Sequence, residues 1–256
     1  MNICLTADDV GAILSIDNAV RKLIRLGSIN CLSIFANGII DTSWIKLVDP
    51  KIKLGLHLTL SFGKPLVSGI NNCLLDDNGH FLHPKKPISP NNENIENSLN
   101  DFIEKLDCCE ESELMSELKA QYEFFSYKYC RTPDFLNLHH DLDKSPLLQR
   151  VLVSAFPDEP TRKLREINEL GYSYIYSFLN MDDSIEISEQ IIFNLLEKCI
   201  TTKNDNLNKN FEIVFHPGFD SCQLRRFSTY SKMREREYRI LCSERIVDLL
   251  SGAFEK

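Results

Sequence analysis

No apolar run in this sequence approaches the ~20 residues a membrane-spanning helix needs, so an integral membrane protein is not expected. Cations are not in surplus either. There are 37 acidic and 29 basic side chains, a formal charge of −8, whereas a general nucleic-acid binder would carry a basic face. The nine cysteines are odd in number and contain no C-x-x-C, which excludes zinc-finger spacing and leaves free, reduced, mostly buried thiols as the reading. Met1 leads straight into the strand-like Ile3-Cys4-Leu5-Thr6, without a basic stretch followed by an apolar one. A signal peptide is therefore not expected, and a cytoplasmic location is. Trp44 is the only tryptophan. Histidine is scarce, at six residues, and internal repeats and low-complexity tracts are missing.

The chain does hold a steady alternation of strand-like and helix-like runs. With 256 residues, 43% hydrophobic and 26% charged, it has ordinary globular composition and the length of a single α/β barrel. Strands are expected over 3–6, 29–36, 52–60, 135–139, 172–178 and 211–215. Helices are expected over 13–26, stopped by Gly27, and over 42–48, 113–129, 147–155, 161–170, 188–200 and 231–250. Residues 61–111 break the rhythm, being dense in Gly, Asn, Asp and Pro, and read as a loop-rich insertion with one weak helix near 95–106. Strand–helix repetition implies a mostly parallel sheet, open or closed, in one domain over 1–256. Such sheets place their chemistry at the carboxyl ends of strands.

Four strand ends carry acids or imidazoles. The first ends in Asp8-Asp9, the third carries His57, the one after the insertion ends in His139-His140, and the last is followed by His216-Pro217-Gly218. Each alone has an ordinary explanation. Paired acids cap helices, a single inward histidine packs in a core, and Pro-Gly makes a turn. Four coincidences at one sheet edge are hard to obtain from packing. Four of the six histidines lie there, and the other two, His80 and His83, lie in the insertion. One carboxylate and two imidazoles make a site for a single divalent metal, and zinc suits it. The second acid then takes a proton from water, and a histidine on the far side protonates a leaving group. The residues themselves leave open which aspartate does which task.

Thr6-Ala7-Asp8-Asp9-Val10-Gly11 resembles the A-D-D-[FV]-G opening of the YdjC-like carbohydrate deacetylases. Gly55-Leu56-His57-Leu58-Thr59-Leu60 resembles their G-L-H-L-x-L segment, with Gly63-Lys64-Pro65 after it. Asp76-Asp77-Asn78-Gly79-His80-Phe81, Glu117 to Gln121, and Phe215-His216-Pro217-Gly218-Phe219 resemble further family elements, as do Arg226 to Tyr230 and Arg234-Glu235-Arg236-Glu237. The resemblance runs from residue 3 to about 250. It implies a NodB-related distorted (β/α) barrel of about seven strands that removes an acetyl group from an N-acetylated sugar. By position, Asp8 is implied as general base, His216 as general acid, and Asp9, His57 and His139 as ligands of one divalent ion. Zinc or magnesium is implied first, with manganese, cobalt or nickel as substitutes; a homodimer is a family-level expectation. The third motif departs from the family. Where P-x-x-L-D-S-H-x-H-x-H is usual, this chain has Asn137 for the acid, keeps His139, and has Asp141 and Asp143 for the later histidines. That departure keeps open a sugar-binding or regulatory homologue with weakened catalysis. A two-histidine, one-carboxylate iron oxygenase is a further alternative, although it needs neither the second acid nor the distant histidine.

Overall fold

Strand β1 (Ile3–Val10) is buried at all eight positions, the mark of a strand covered on both faces rather than one that alternates toward water. The computed structural model describes residues 3–70, 72–84, 95–140, 142–156, 172–177, 188–205, 210–228 and 230–254. The helix expected over 161–170 and the residue Asp141 lie outside them. The other strands are β2 (Cys31–Ile34), β3 (Lys53–Leu58), β4 (Phe135–Leu138), β5 (Tyr172–Ser177) and β6 (Asn210–Phe215). The helices are α1 (Leu14–Leu26), α2 (Ile95–Asp107), α3 (Glu111–Tyr129), α4 (Pro146–Ala155), α5 (Glu189–Asp205), α6 (Cys222–Phe227), α7 (Ser231–Leu241) and α8 (Glu244–Phe254). None of them is long and apolar enough to cross a membrane.

The strand order is β4-β3-β2-β1-β6-β5. Among the described residues this is a six-stranded open sheet with β4 and β5 at its edges, which corrects the expected barrel of about seven strands. Hydrophobic rhythm counts strands, but closure requires the two edge strands to pair, and a linear sequence does not encode that pairing locally. Strand β1 runs parallel to both β2 and β6, and β5 runs parallel to β6. Successive strands β1 to β4 step one way from β1, whereas β6 and β5 lie on its other side. The boundary between β1 and β6 is therefore the topological switch point, where an open α/β sheet opens a crevice at its carboxyl edge.

The chain forms two compact units. The first comprises Met1–Ile34, Gly38–Gly55 and Gly171–Lys256. Within it, α1 buries Ile16, Val20 and Leu23 at helical spacing, and Gly27, at φ 73°, ends the helix in the left-handed conformation. The segment after β1 is pinned from both sides: the Gly11 N–H donates to Asp17 Oδ1 at 2.8 Å, and its carbonyl accepts from Ile40 N at 3.1 Å. A Cβ on Gly38 would stand 2.5 Å from the Gly11 carbonyl oxygen. Gly38→Ala is accordingly expected to destabilise the fold by about 1–3 kcal/mol. Thermal denaturation should show this as a Tm lowered by roughly 3–10 °C; an unaltered Tm would mean that this close approach is not needed. The expected long helix over 231–250 is two helices. The turn between them is closed by Ser243 N on Ile240 O at 3.0 Å, and no glycine or proline announces the break. Helix α6 was not expected; Ser221 Oγ caps it by accepting from Leu224 N at 3.0 Å.

The second unit comprises Phe35–Asn37 and Leu56–Leu170. It holds the described part of the insertion, which contains a 3-10 turn (Asn72–Leu74), an isolated antiparallel bridge from Leu75 to Phe81, and α2. Two buried polar side chains of α3 organise the neighbouring loops. Glu117 Oε2 accepts from Leu66 N at 2.8 Å and Val67 N at 3.0 Å. Gln121 accepts from Thr59 N at 3.0 Å and donates to Thr59 O at 2.7 Å, clamping the chain just after β3.

Candidate functional site

Asp8 and Asp9 sit near the carboxyl end of β1, 2% and 1% exposed. In a regular strand two neighbours point to opposite faces. Here the pairing of β1 with β2 shifts register between Ala7 and Val10, and Asp9 adopts φ 65°, a left-handed conformation uncommon outside glycine. Irregularities of this kind re-aim side chains and gather at functional sites. The two acids consequently meet different partners within the first unit. Asp8 Oδ2 lies 3.8 Å from Nε2 of His216, which follows β6. Asp9 Oδ2 accepts from the buried Arg234 guanidinium at 2.5 Å.

Helix α7 supplies the backing for both. Arg234 also reaches the His216 carbonyl at 3.5 Å, and its own carbonyl accepts from Gly218 N at 3.3 Å. One turn on, Glu237 is fully buried; its Oε2 accepts the His216 backbone N–H at 2.5 Å and its Oε1 accepts the Tyr230 hydroxyl at 2.8 Å. Burial pushes the Glu237 carboxyl up from an ordinary 4.5 to about 7, against the pull of its two donors and of Arg234. Because the folded state holds this proton more tightly than the unfolded one, stability falls as pH rises from about 4.5 through 7. At pH 8 the buried carboxyl costs about 3 kcal/mol. Glu237→Gln should remove that pH dependence, so its Tm advantage over the wild type should grow between pH 5 and pH 8. A constant difference across that range would contradict it.

The second unit presents the imidazoles. His57 in β3 and His139 after β4 are 2% and 5% exposed. Their rings meet edge-on with centroids 5.4 Å apart, and Phe35 packs on both at 4.7 and 5.0 Å. The Asn137 amide reaches His57 Nδ1 at 2.8 Å. Ser61 Oγ lies 3.1 Å from His139 Nδ1 and 2.9 Å from His140 Nδ1, and Thr59 Oγ1 lies 3.4 Å from His139 Nδ1. Both rings are thus held at Nδ1, which makes Nε2 the nitrogen each can turn toward a metal. The Asn137 Nδ2 is the atom that faces His57 Nδ1, and a half-turn of the amide would bring its oxygen there to accept from Nδ1–H and leave Nε2 as the ligating nitrogen. His139 Nδ1 meets hydroxyls, which serve as donor or acceptor. The residues therefore fit a divalent cation. Among the described residues, Asp9, His57 and His139 are a group of buried donors that could hold a metal ion, each offering one ligand atom.

His83, from the insertion, packs against His140 with ring centroids 4.8 Å apart, whereas His80 pairs with Asp76 at the surface. Sequence reasoning gave no role to Arg234, Glu237, Tyr230 or Phe35. For three of the four the sequence signal was the resemblance of Arg226 to Tyr230 and of Arg234-Glu235-Arg236-Glu237 to family elements, which names no task.

A parallel-sheet α/β protein with an acid–imidazole pair at its switch point and a buried Asp-His-His donor group belongs to the class whose sites are assembled at strand ends. The YdjC-like protein family model matches residues 2–252, and the chain belongs to that family. A carbohydrate deacetylase of Clostridium beijerinckii is 23% identical over 260 residues, covering 98% of this chain and 95% of the relative. A carbohydrate deacetylase of Vibrio cholerae is 26% identical over 259 residues, covering 98% and 91%. One of Oceanobacillus iheyensis is 26% identical over 253 residues, covering 96% and 98%. In fold, the chain is similar to a crystal structure of a protein from Enterococcus faecalis V583, with a TM-score of 0.72 at 20% identity over 98% of this chain and 94% of that one.

Proposed function

We propose that this chain is a metal-dependent hydrolase that removes the acetyl group from an N-acetylated sugar, the whole of 1–256 serving as one catalytic domain. The observation that carries the reading is the buried pair of Asp8 and His216, 3.8 Å apart at the switch point. Support comes from relatives of nearly equal length named carbohydrate deacetylases. In this reading Asp9, His57 and His139 hold the ion, zinc or magnesium. When bound, such an ion lowers the pKa of a water and polarises a carbonyl. Asp8 accepts the proton of the water that attacks the acetyl carbonyl carbon. The C–N bond then breaks, and His216 donates a proton to the departing nitrogen. Acetate and an amino sugar leave, and the atoms balance with one water consumed. Arg234 holds the Asp9 carboxylate in place through its hydrogen bond.

The test is an acetate-release screen across N-acetylated sugars and their short oligomers. The protein would be stripped with chelator and reloaded with zinc, magnesium or manganese. Stripping should abolish release and reloading should restore it; absence of acetate from metal-loaded protein across the panel would overturn the reading. Asn137, which stands beside His57 where the family motif has an acid, favours one second reading, a homologue that binds sugar with weakened catalysis. Sugar binding by calorimetry without acetate release would select it.

A further inference from the structure

We infer that Glu237 is a positioning residue for His216, its carboxyl fixing the main chain of the proposed proton donor and, through Tyr230, one side of its ring. The inference rests on reading His216 as the acid of the deacetylation. Three observations carry it. Glu237 is 0% exposed, and a carboxylate that deep is rarely kept where packing alone would serve. Each of its oxygens has a dedicated donor: the His216 N–H at 2.5 Å and the Tyr230 hydroxyl at 2.8 Å. The Tyr230 ring also faces the His216 imidazole edge-on, with centroids 6.4 Å apart, so one carboxylate ties down both the main chain of His216 and a wall of its ring.

Among the described residues, the charged and titratable groups at this corner include Asp8 and Asp9 from β1, Arg234 and Glu237 from α7, and Tyr230 just before α7. Arg234 bonds Asp9, and above the pH near 7 at which its carboxyl ionises, Glu237 adds a negative charge behind the His216 main chain. An anion there favours the imidazolium, the form a general acid must start from. A glutamine in its place keeps the size and can still accept from the His216 N–H while its amide donates to the Tyr230 oxygen. Above pH 7 it removes only the charge.

Glu237→Gln would be examined in the full chain by three measurements, the kinetics at pH 8 with metal loaded. Acetate-release kinetics should show kcat lowered on the order of tenfold to a hundredfold with KM little altered. The pH at which the His216 imidazole titrates, followed by NMR in the metal-free protein and assigned with His216→Gln, should fall. The Tm at pH 8 should rise, whereas a merely structural glutamate would lower it when replaced. Tyr230→Phe, which leaves the carboxyl one donor short, should move kcat and the imidazole titration in the same direction by less, and it carries the test should Glu237→Gln fail to fold. An unmoved His216 titration, or unchanged kcat in a variant that folds, would overturn the inference. The NMR result does not require turnover. A shift seen in a protein that releases no acetate would sink the deacetylase reading and leave the positioning role standing.

Discussion

Asp8→Asn is expected to lower kcat for acetate release by about a thousandfold while the protein keeps its full complement of metal. The expectation follows from how β1 separates its two acids. Asp9 is turned by a left-handed backbone to Arg234 and belongs to the Asp-His-His donor group, whereas Asp8 faces His216 Nε2 at 3.8 Å. Asparagine fills the same volume and still offers an oxygen to a water, but it cannot hold a proton at working pH. A positioned general base contributes about 10²–10⁴ in rate. Elemental analysis of the purified variant supplies the second half of the test. Lost metal would make Asp8 a ligand rather than a base, and retained turnover would remove it from the chemistry altogether. Neither result is compatible with the division of labour between the two acids.

The sequence could disclose these acids as a pair but not their separate partners, and the reason is physical. Position within β1 is set by hydrophobic burial, which local pattern encodes. The register shift between Ala7 and Val10 that re-aims the side chains depends on how β1 pairs with β2, which local pattern does not. The same distinction runs through the molecule. Gly27 stopped α1 as expected, because a left-handed cap is a property of the residue itself. The break between α7 and α8 was hidden, because Cys242 and Ser243 have no strong conformational preference and apolar spacing continues on both sides. His57 and His139 were legible because imidazoles are rare in this chain and fell at strand ends. Arg234 and Glu237 were visible only as parts of a family element without a task, because only tertiary contact shows that the first and last of Arg234-Glu235-Arg236-Glu237 are buried. His83 had no partner visible in sequence; its contact with His140 joins residues 57 positions apart.

Replacing Arg234 by methionine should produce the largest loss of stability, and the loss should be repaired in part by metal. The Arg234 guanidinium is 4% exposed and bonds the Asp9 carboxylate at 2.5 Å, with the His216 carbonyl and Ser228 Oγ as further partners. Removing one partner of a buried pair leaves the other charge uncompensated and costs about 3–5 kcal/mol. In a chain of this length the metal-free variant should therefore melt roughly 6–20 °C below the wild type. Two buried carboxyls are affected, because Arg234 also holds down the Glu237 carboxyl. A dication at Asp9, His57 and His139 would restore positive charge beside Asp9, though not beside the His216 carbonyl. Saturating metal should thus raise the Tm of Arg234→Met by more than it raises that of the wild type, since ligand binding adds stability in proportion to its preference for the folded state. Calorimetric scans of both proteins with and without zinc or magnesium make the comparison. Equal metal-induced shifts would show that Asp9 is not among the ligands, and would move the proposed metal site away from β1.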